Sequence, residues 1–232
     1  MNALGLVVAH ELRMLARNKK VVLGQVVAVV ILWSLLANNI RQGAHEQLTG
    51  YFLLLLFVAA VGAPASVGVH AFVGEKERRT MESLLLLPVS MRALLGGKWL
   101  ATFAVALCEL GVVYLAGVGA AKLYAGPDQY HFVVNPATQY VAAVIAPLIA
   151  ALFALIAIIV SGKSSNTQSA ISVTAFVAAP VLLVLLGILL GLLSVTRWSV
   201  LVASGTLVVA DLIAYRIALS ALTPEALIRR RG

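Results

Sequence analysis

Three places along the chain carry residue types that could do chemistry, and each falls short. "AIIVSGKS" (Ala157 to Ser164) fits a permissive phosphate-loop pattern, with alanine where the first glycine belongs. A working loop of that kind follows a strand, and its glycines let backbone N–H groups wrap phosphate oxygens. Here an unbroken apolar run comes before it, so the match is accidental. "HELRM" (His10 to Met14) holds half of a zinc-binding helix and lacks the second histidine. The remaining histidines are scattered, with no serine and aspartate arranged around them. Cys108 stands alone in an apolar run, which leaves no disulfide framework and reads as a buried structural thiol. The residues thus offer no catalytic set and no metal set, and the chain is expected not to be an enzyme.

The elements that must position any site are legible from composition. Of the residues, 62% are hydrophobic and 11% charged, whereas soluble domains are about a quarter charged and under half apolar. This is the profile of an all-α integral membrane protein. Its net charge of +8 does not signal nucleic acid, because basic and aromatic residues do not interleave as they do in single-strand binders. A span needs about 20 apolar residues. Six stretches qualify, at about 21–39, 50–72, 96–121, 137–160, 170–194 and 198–221, in a single transmembrane domain over 1–232 without internal repeats. The first run is read as a retained span: its leader is long, and no small-residue cleavage site follows.

Basic residues fix the orientation. With the N-terminus inside, 14 of the 17 Lys and Arg fall in cytoplasmic segments, and only Arg41, Lys122 and Arg197 fall outside. The positive-inside rule then places both termini in the cytoplasm. Residues 1–20 form an interfacial amphipathic helix. Leu4, Val7, Val8, Leu12 and Leu15 share one face, while His10, Arg13 and Arg17 gather opposite, towards the headgroups. Glu11 falls inside the apolar sector. Either a basic residue of a cytoplasmic loop pairs with it, or it snorkels to water.

Two carboxylates lie deep in spans, Glu109 and Asp211. Charge at depth is costly and faces a bundle interior, a partner or a water-filled path. They are candidates for a translocation path, one that would select a cationic substrate; the competing reading is a helix-to-helix hydrogen bond.

Between spans two and three runs "GEKERRTMESLLLLPVS" (Gly74 to Ser90), with charges of alternating sign beside four leucines. Thr80 suits a helix N-cap, and Pro88 pushes Leu87 out of the α region, so a short cytoplasmic helix over 81–87 is expected. Its leucines cover most of its circumference and need a socket.

"FVGEKERRTMESLLLLPVSMRALLGGKWLA" (Phe72 to Ala101) resembles the signature region of ABC transporter type-2 permeases. "HELRMLARNKK" (His10 to Lys20) is similar to that family's interfacial connecting helix, and "SGKSSNTQSA" (Ser161 to Ala170) to its polar loop between spans four and five. The resemblance implies a six-span permease of the bacterial or archaeal plasma membrane that pairs with a second permease copy. It also implies a separate cytoplasmic ATPase that binds ATP and magnesium, this chain binding no cofactor itself. Residues 74–90 would be the coupling segment, with Glu75, Glu77, Arg78, Arg79 and Glu82 as polar contacts and Met81, Leu84 and Leu85 as the apolar plug. One departure stands out: only "SVTRW" (Ser194 to Trp198) separates spans five and six, where many relatives carry extra extracellular helices. From the residues alone, an ATP-independent transporter or channel remains open, as does a membrane subunit that only recruits an ATPase.

Overall fold

The structure, a computed structural model, describes residues 3–17, 48–80, 90–125, 131, 134–189 and 197–222, with single positions between 23 and 38. Among these the chain is helical apart from short turns and caps. Helix α1 (Ala3–Arg17) precedes α2 (Leu48–Gly68) and α3 (His70–Glu77). Then come α4 (Met91–Ala120), the short α5 (Pro136–Tyr140), α6 (Ala146–Lys163), α7 (Thr167–Leu189) and α8 (Arg197–Ala221). Single π-helical turns extend α4 over Ala121–Ala125 and join α5 to α6 over Val141–Ile145.

Among the described residues, four helices are long and apolar enough to cross a membrane: Thr49–Glu77, Met91–Leu123, Pro136–Lys163 and Val200–Ala221. They correspond to the expected spans two, three, four and six. The fifth contributes a shorter apolar stretch, Thr167–Val181. The expected first span lies largely outside the described residues, although the positions described between 23 and 38 are helical.

Two helices overrun their apolar windows for local reasons. Span three was expected from residue 96, yet α4 starts at Met91, because the Ser90 hydroxyl accepts the Ala93 N–H at 3.2 Å and caps it. Span two continues as α3 into the charged stretch, because those charges find partners within the protein. At the opposite end, Asn135 and Thr138 exchange side-chain to backbone hydrogen bonds in a capping box ahead of Pro136.

The core lies between α2, α4 and α6, where Phe52, Leu56, Ala106, Leu110, Ala150 and Phe153 pack together. A second cluster joins Phe72, Leu95 and Ile158 to Ala218 and Leu222. Helices α7 and α8 lie at the edge and turn large apolar side chains outward, including Phe176 and Trp198. In a membrane protein such faces meet lipid or another subunit. Cys108 corrects the expectation of a buried thiol, for it is exposed. The inward register of α4 runs through Ala106, Glu109, Leu110 and Val113, and residue 108 falls between those rows. An all-round apolar helix gives no sequence signal for which face is buried.

Candidate functional site

Basic side chains and loop ends gather at one end of the bundle, around the break between α2 and α3. That break sits at Val69, which is fully buried and has no side chain able to cap α3. Ser161 of α6 does the capping from outside. Its hydroxyl accepts the N–H groups of Phe72 and Val73, both at 2.9 Å, and donates to the Val69 carbonyl at 2.5 Å. A side chain inserted into a helical ladder is a recognised cause of a kink. Close approach makes it possible: a Cβ on Gly68 would stand 2.8 Å from the Ala157 Cβ, one turn before Ser161.

The alternating charges then acquire separate tasks. The Lys76 ammonium donates to the carbonyls of Gly162 and Ser164, the latter at 3.1 Å, at the C-terminal end of α6. Glu77 accepts the Thr167 N–H at 2.9 Å and its hydroxyl at 2.8 Å, at the N-terminus of α7. Cation at a helix C-terminus and anion at an N-terminus both match the helix dipole. Beyond the apolar part of span two, these hydrogen bonds from Thr167 hold the Glu77 carboxyl below the usual glutamate range. Glu75 is buried, and its carboxylate accepts the Thr80 hydroxyl. Thr80 therefore turns its hydroxyl back onto α3.

Helix α3 ends in a Schellman arrangement. The Thr80 N–H reaches the Glu75 carbonyl at 3.0 Å, and the Arg79 N–H reaches that of Lys76 at 3.1 Å. The left-handed position this motif needs is held by Arg79, at φ 58°, where glycine is usual. Arg78 and Arg79 are exposed. Of the expected coupling residues, the structure thus gives Glu75 and Glu77 internal partners and leaves the two arginines outward. Met81, Glu82, Leu84 and Leu85, with the expected helix over 81–87, lie outside the described residues.

Helix α1 docks on the start of α4. Glu11 is buried and receives the Lys98 ammonium at 2.6 Å; Lys98 itself is 1% exposed. That settles the alternatives for Glu11 in favour of a partner. The Lys98 nitrogen also lies 5.3 Å from the centre of the Phe72 ring. Gly97 permits the contact, since any Cβ there would overlap Val7. Arg13 is exposed, as expected of the polar face, and the Arg17 side chain lies outside the described set. Sequence reasoning noted Lys98 and the polar loop at 161–170 without assigning the pairings. Serine at a helix end and lysine after two glycines were the available signals.

Glu109 and Asp211 sit on α4 and α8. Glu109 is buried with its Oε2 unpartnered, and Asp211 has an unpartnered Oδ1, among the described residues. No hydrogen bond or ion pair joins the two. Thr174 on α7, fully buried with its hydroxyl unpartnered, is a third such group that sequence reasoning missed. Buried polar groups usually find partners, so these stand out. No cluster of metal-binding side chains occurs among the described residues.

Comparison with known proteins agrees with this architecture. Residues 42–228 match the family described as "ABC-2 family transporter protein". A stretch of 71 residues is 37% identical to "ABC transporter permease protein NatB" of Bacillus subtilis (strain 168), covering 30% of this chain and 18% of that relative. The matched stretch therefore spans less than a fifth of that relative's length. With the family match covering most of the chain, this protein belongs to the ABC-2 transporter family, as a membrane-spanning permease.

Proposed function

We propose that this chain is one permease half of an ATP-driven exporter. Two six-span halves pair, identical or homologous. Each docks a cytoplasmic ATPase through residues 74–90, and together they move a substrate out of the cytoplasm or the inner leaflet. ATP and magnesium bind the partner subunit, and this chain does no bond chemistry. Both termini lie in the cytoplasm, on the side where the basic residues gather.

The observation that carries this reading is the end of α3. A helix anchored on α6 and α7 stops at Glu77 and presents two exposed arginines in its closing turn, just before the leucine-rich segment. An apolar anchor rimmed by charge is the usual anatomy of a protein interface. Glu109 and Asp211 are the candidates for the path itself. A cytoplasmic ATPase should co-purify with the native chain and be lost when Leu84 and Leu85 are both changed to Asp. Transport by the purified chain without ATP would defeat the proposal. An ATPase retained while no transport depends on this chain would make it a recruiting subunit instead.

A further inference from the structure

Residues 161–167 join the fourth and fifth spans, and among the described residues three side chains, Ser161, Lys76 and Glu77, tie this junction to Val69 and α3. Ser161 replaces the missing cap of α3 and fills the interruption of the backbone ladder at Val69. Lys76 closes the outgoing end of α6, and Glu77 the incoming end of α7. Asn166 adds its own cap to α7, its side-chain oxygen accepting the Ser169 N–H at 2.8 Å. A broken helix is ordinarily a place to bend. Here the interruption is occupied by a buried hydroxyl making three hydrogen bonds, so α6 holds the segments on either side of it in place.

We propose that α3, the lower end of α6 and the start of α7 form one rigid block keyed by Ser161. Force entering beyond Thr80 then moves the second, fourth and fifth spans together. This role rests on the permease reading above, because it takes the segment after Thr80 as the point where force enters. Ser161, Lys76 and Glu77 are positioning residues; none needs to touch substrate. The contact of α3 with α4 is of another kind, made by the Phe72 ring against Lys98 and by apolar packing. Such surfaces slide more readily than a hydrogen-bonded joint whose polar groups would be left bare.

Spin labels at Ser66→Cys and Gln168→Cys test this, both native residues being exposed, in a Cys108→Ser background. The full chain is held in lipid nanodiscs, alone and with its co-purified ATPase, free of nucleotide and trapped with ATP and vanadate. In the otherwise native chain, one narrow distance is expected that does not change with nucleotide. Ser161→Ala should add a second distance population, raised at least about fivefold over native, since it removes three hydrogen bonds and one alone is worth roughly that factor, and should make the distance respond to nucleotide. ATPase association should persist. A nucleotide-dependent distance in the native chain, or equal distributions in native and Ser161→Ala, overturns the block. If Ser161→Ala does not reach the membrane, the Lys76→Met, Glu77→Gln double variant carries the same comparison. Failure of the native chain to hold any ATPase would instead sink the permease reading. The distances in the chain alone would still decide whether the block exists.

Discussion

The Lys98 ammonium lies 2.6 Å from the Glu11 carboxylate in a site closed to solvent, so the N-terminal helix is fastened to the base of the third span by a buried ion pair. Removing one member of such a pair strands the other and costs about 3–5 kcal/mol, while replacing both with apolar or neutral groups is far milder. Lys98→Met should therefore lower the thermal midpoint of the detergent-solubilised protein strongly. Adding Glu11→Gln should recover most of the loss. Additive losses in the double variant would show that the pair is not coupled.

Gly97→Ala should loosen α1 without touching that pair directly. The new methyl group overlaps Val7, a stiff β-branched side chain, and overpacking of this kind costs about 1–3 kcal/mol. Trypsin cleavage after the exposed Arg13 should quicken, since cutting a helix requires local opening. Unchanged cleavage would mean that α1 and α4 can separate at no cost.

Arg79 occupies a left-handed backbone position with a side chain, which glycine would adopt at lower cost. Arg79→Gly should slow amide exchange at Thr80, whose N–H closes the Schellman motif, by roughly fivefold for a gain of about 1 kcal/mol. Arg79→Val should speed it, since branching at Cβ worsens the strain. Identical exchange in the two variants would refute the local argument.

The bond between Glu77 and Thr167 should be sensitive to acid. The carboxyl is held below its ordinary value of about 4.3 by the Thr167 donors. A depressed value in the folded state means that the stabilisation is complete above the ordinary value and disappears as pH falls through the lower, folded one. Protection of the Thr167 amide, corrected for intrinsic exchange, should hold at neutral pH and fall in acid. Glu77→Gln should flatten that dependence.

Glu109→Gln and Asp211→Asn address the path. Each removes a charge while keeping shape. If these carboxylates line the route, export should fall for a cationic substrate with assembly intact. Unchanged export with normal assembly would mark them as helix-packing groups.

Much of the fold was legible because hydropathy and the bilayer thickness alone dictate where spans lie. Spans two, three, four and six were placed within a few residues at most ends, and the exceptions are instructive. Helix α4 begins early because Ser90 caps it, and α3 persists because Lys76 and Glu77 close two other helices. Those pairings join residues far apart in sequence, and period and propensity do not reach across such gaps. The outward placement of Cys108 was hidden for a different reason, the uniformly apolar circumference of its helix. A carboxylate on the apolar face of α1 was legible locally, but whether Glu11 pairs or snorkels was left open, and its partner proved to be Lys98 within α4 and not a loop residue.

The ion pair also sets an order of events during synthesis. Glu11 leaves the ribosome 87 residues before Lys98, a delay of roughly 4–17 s at about 5–20 residues per second. Through that interval its eventual partner has not yet been made. The N-terminal helix therefore cannot take its final seat until the start of α4 is made, and closing that pair marks the moment when α1 and α4 can be locked together.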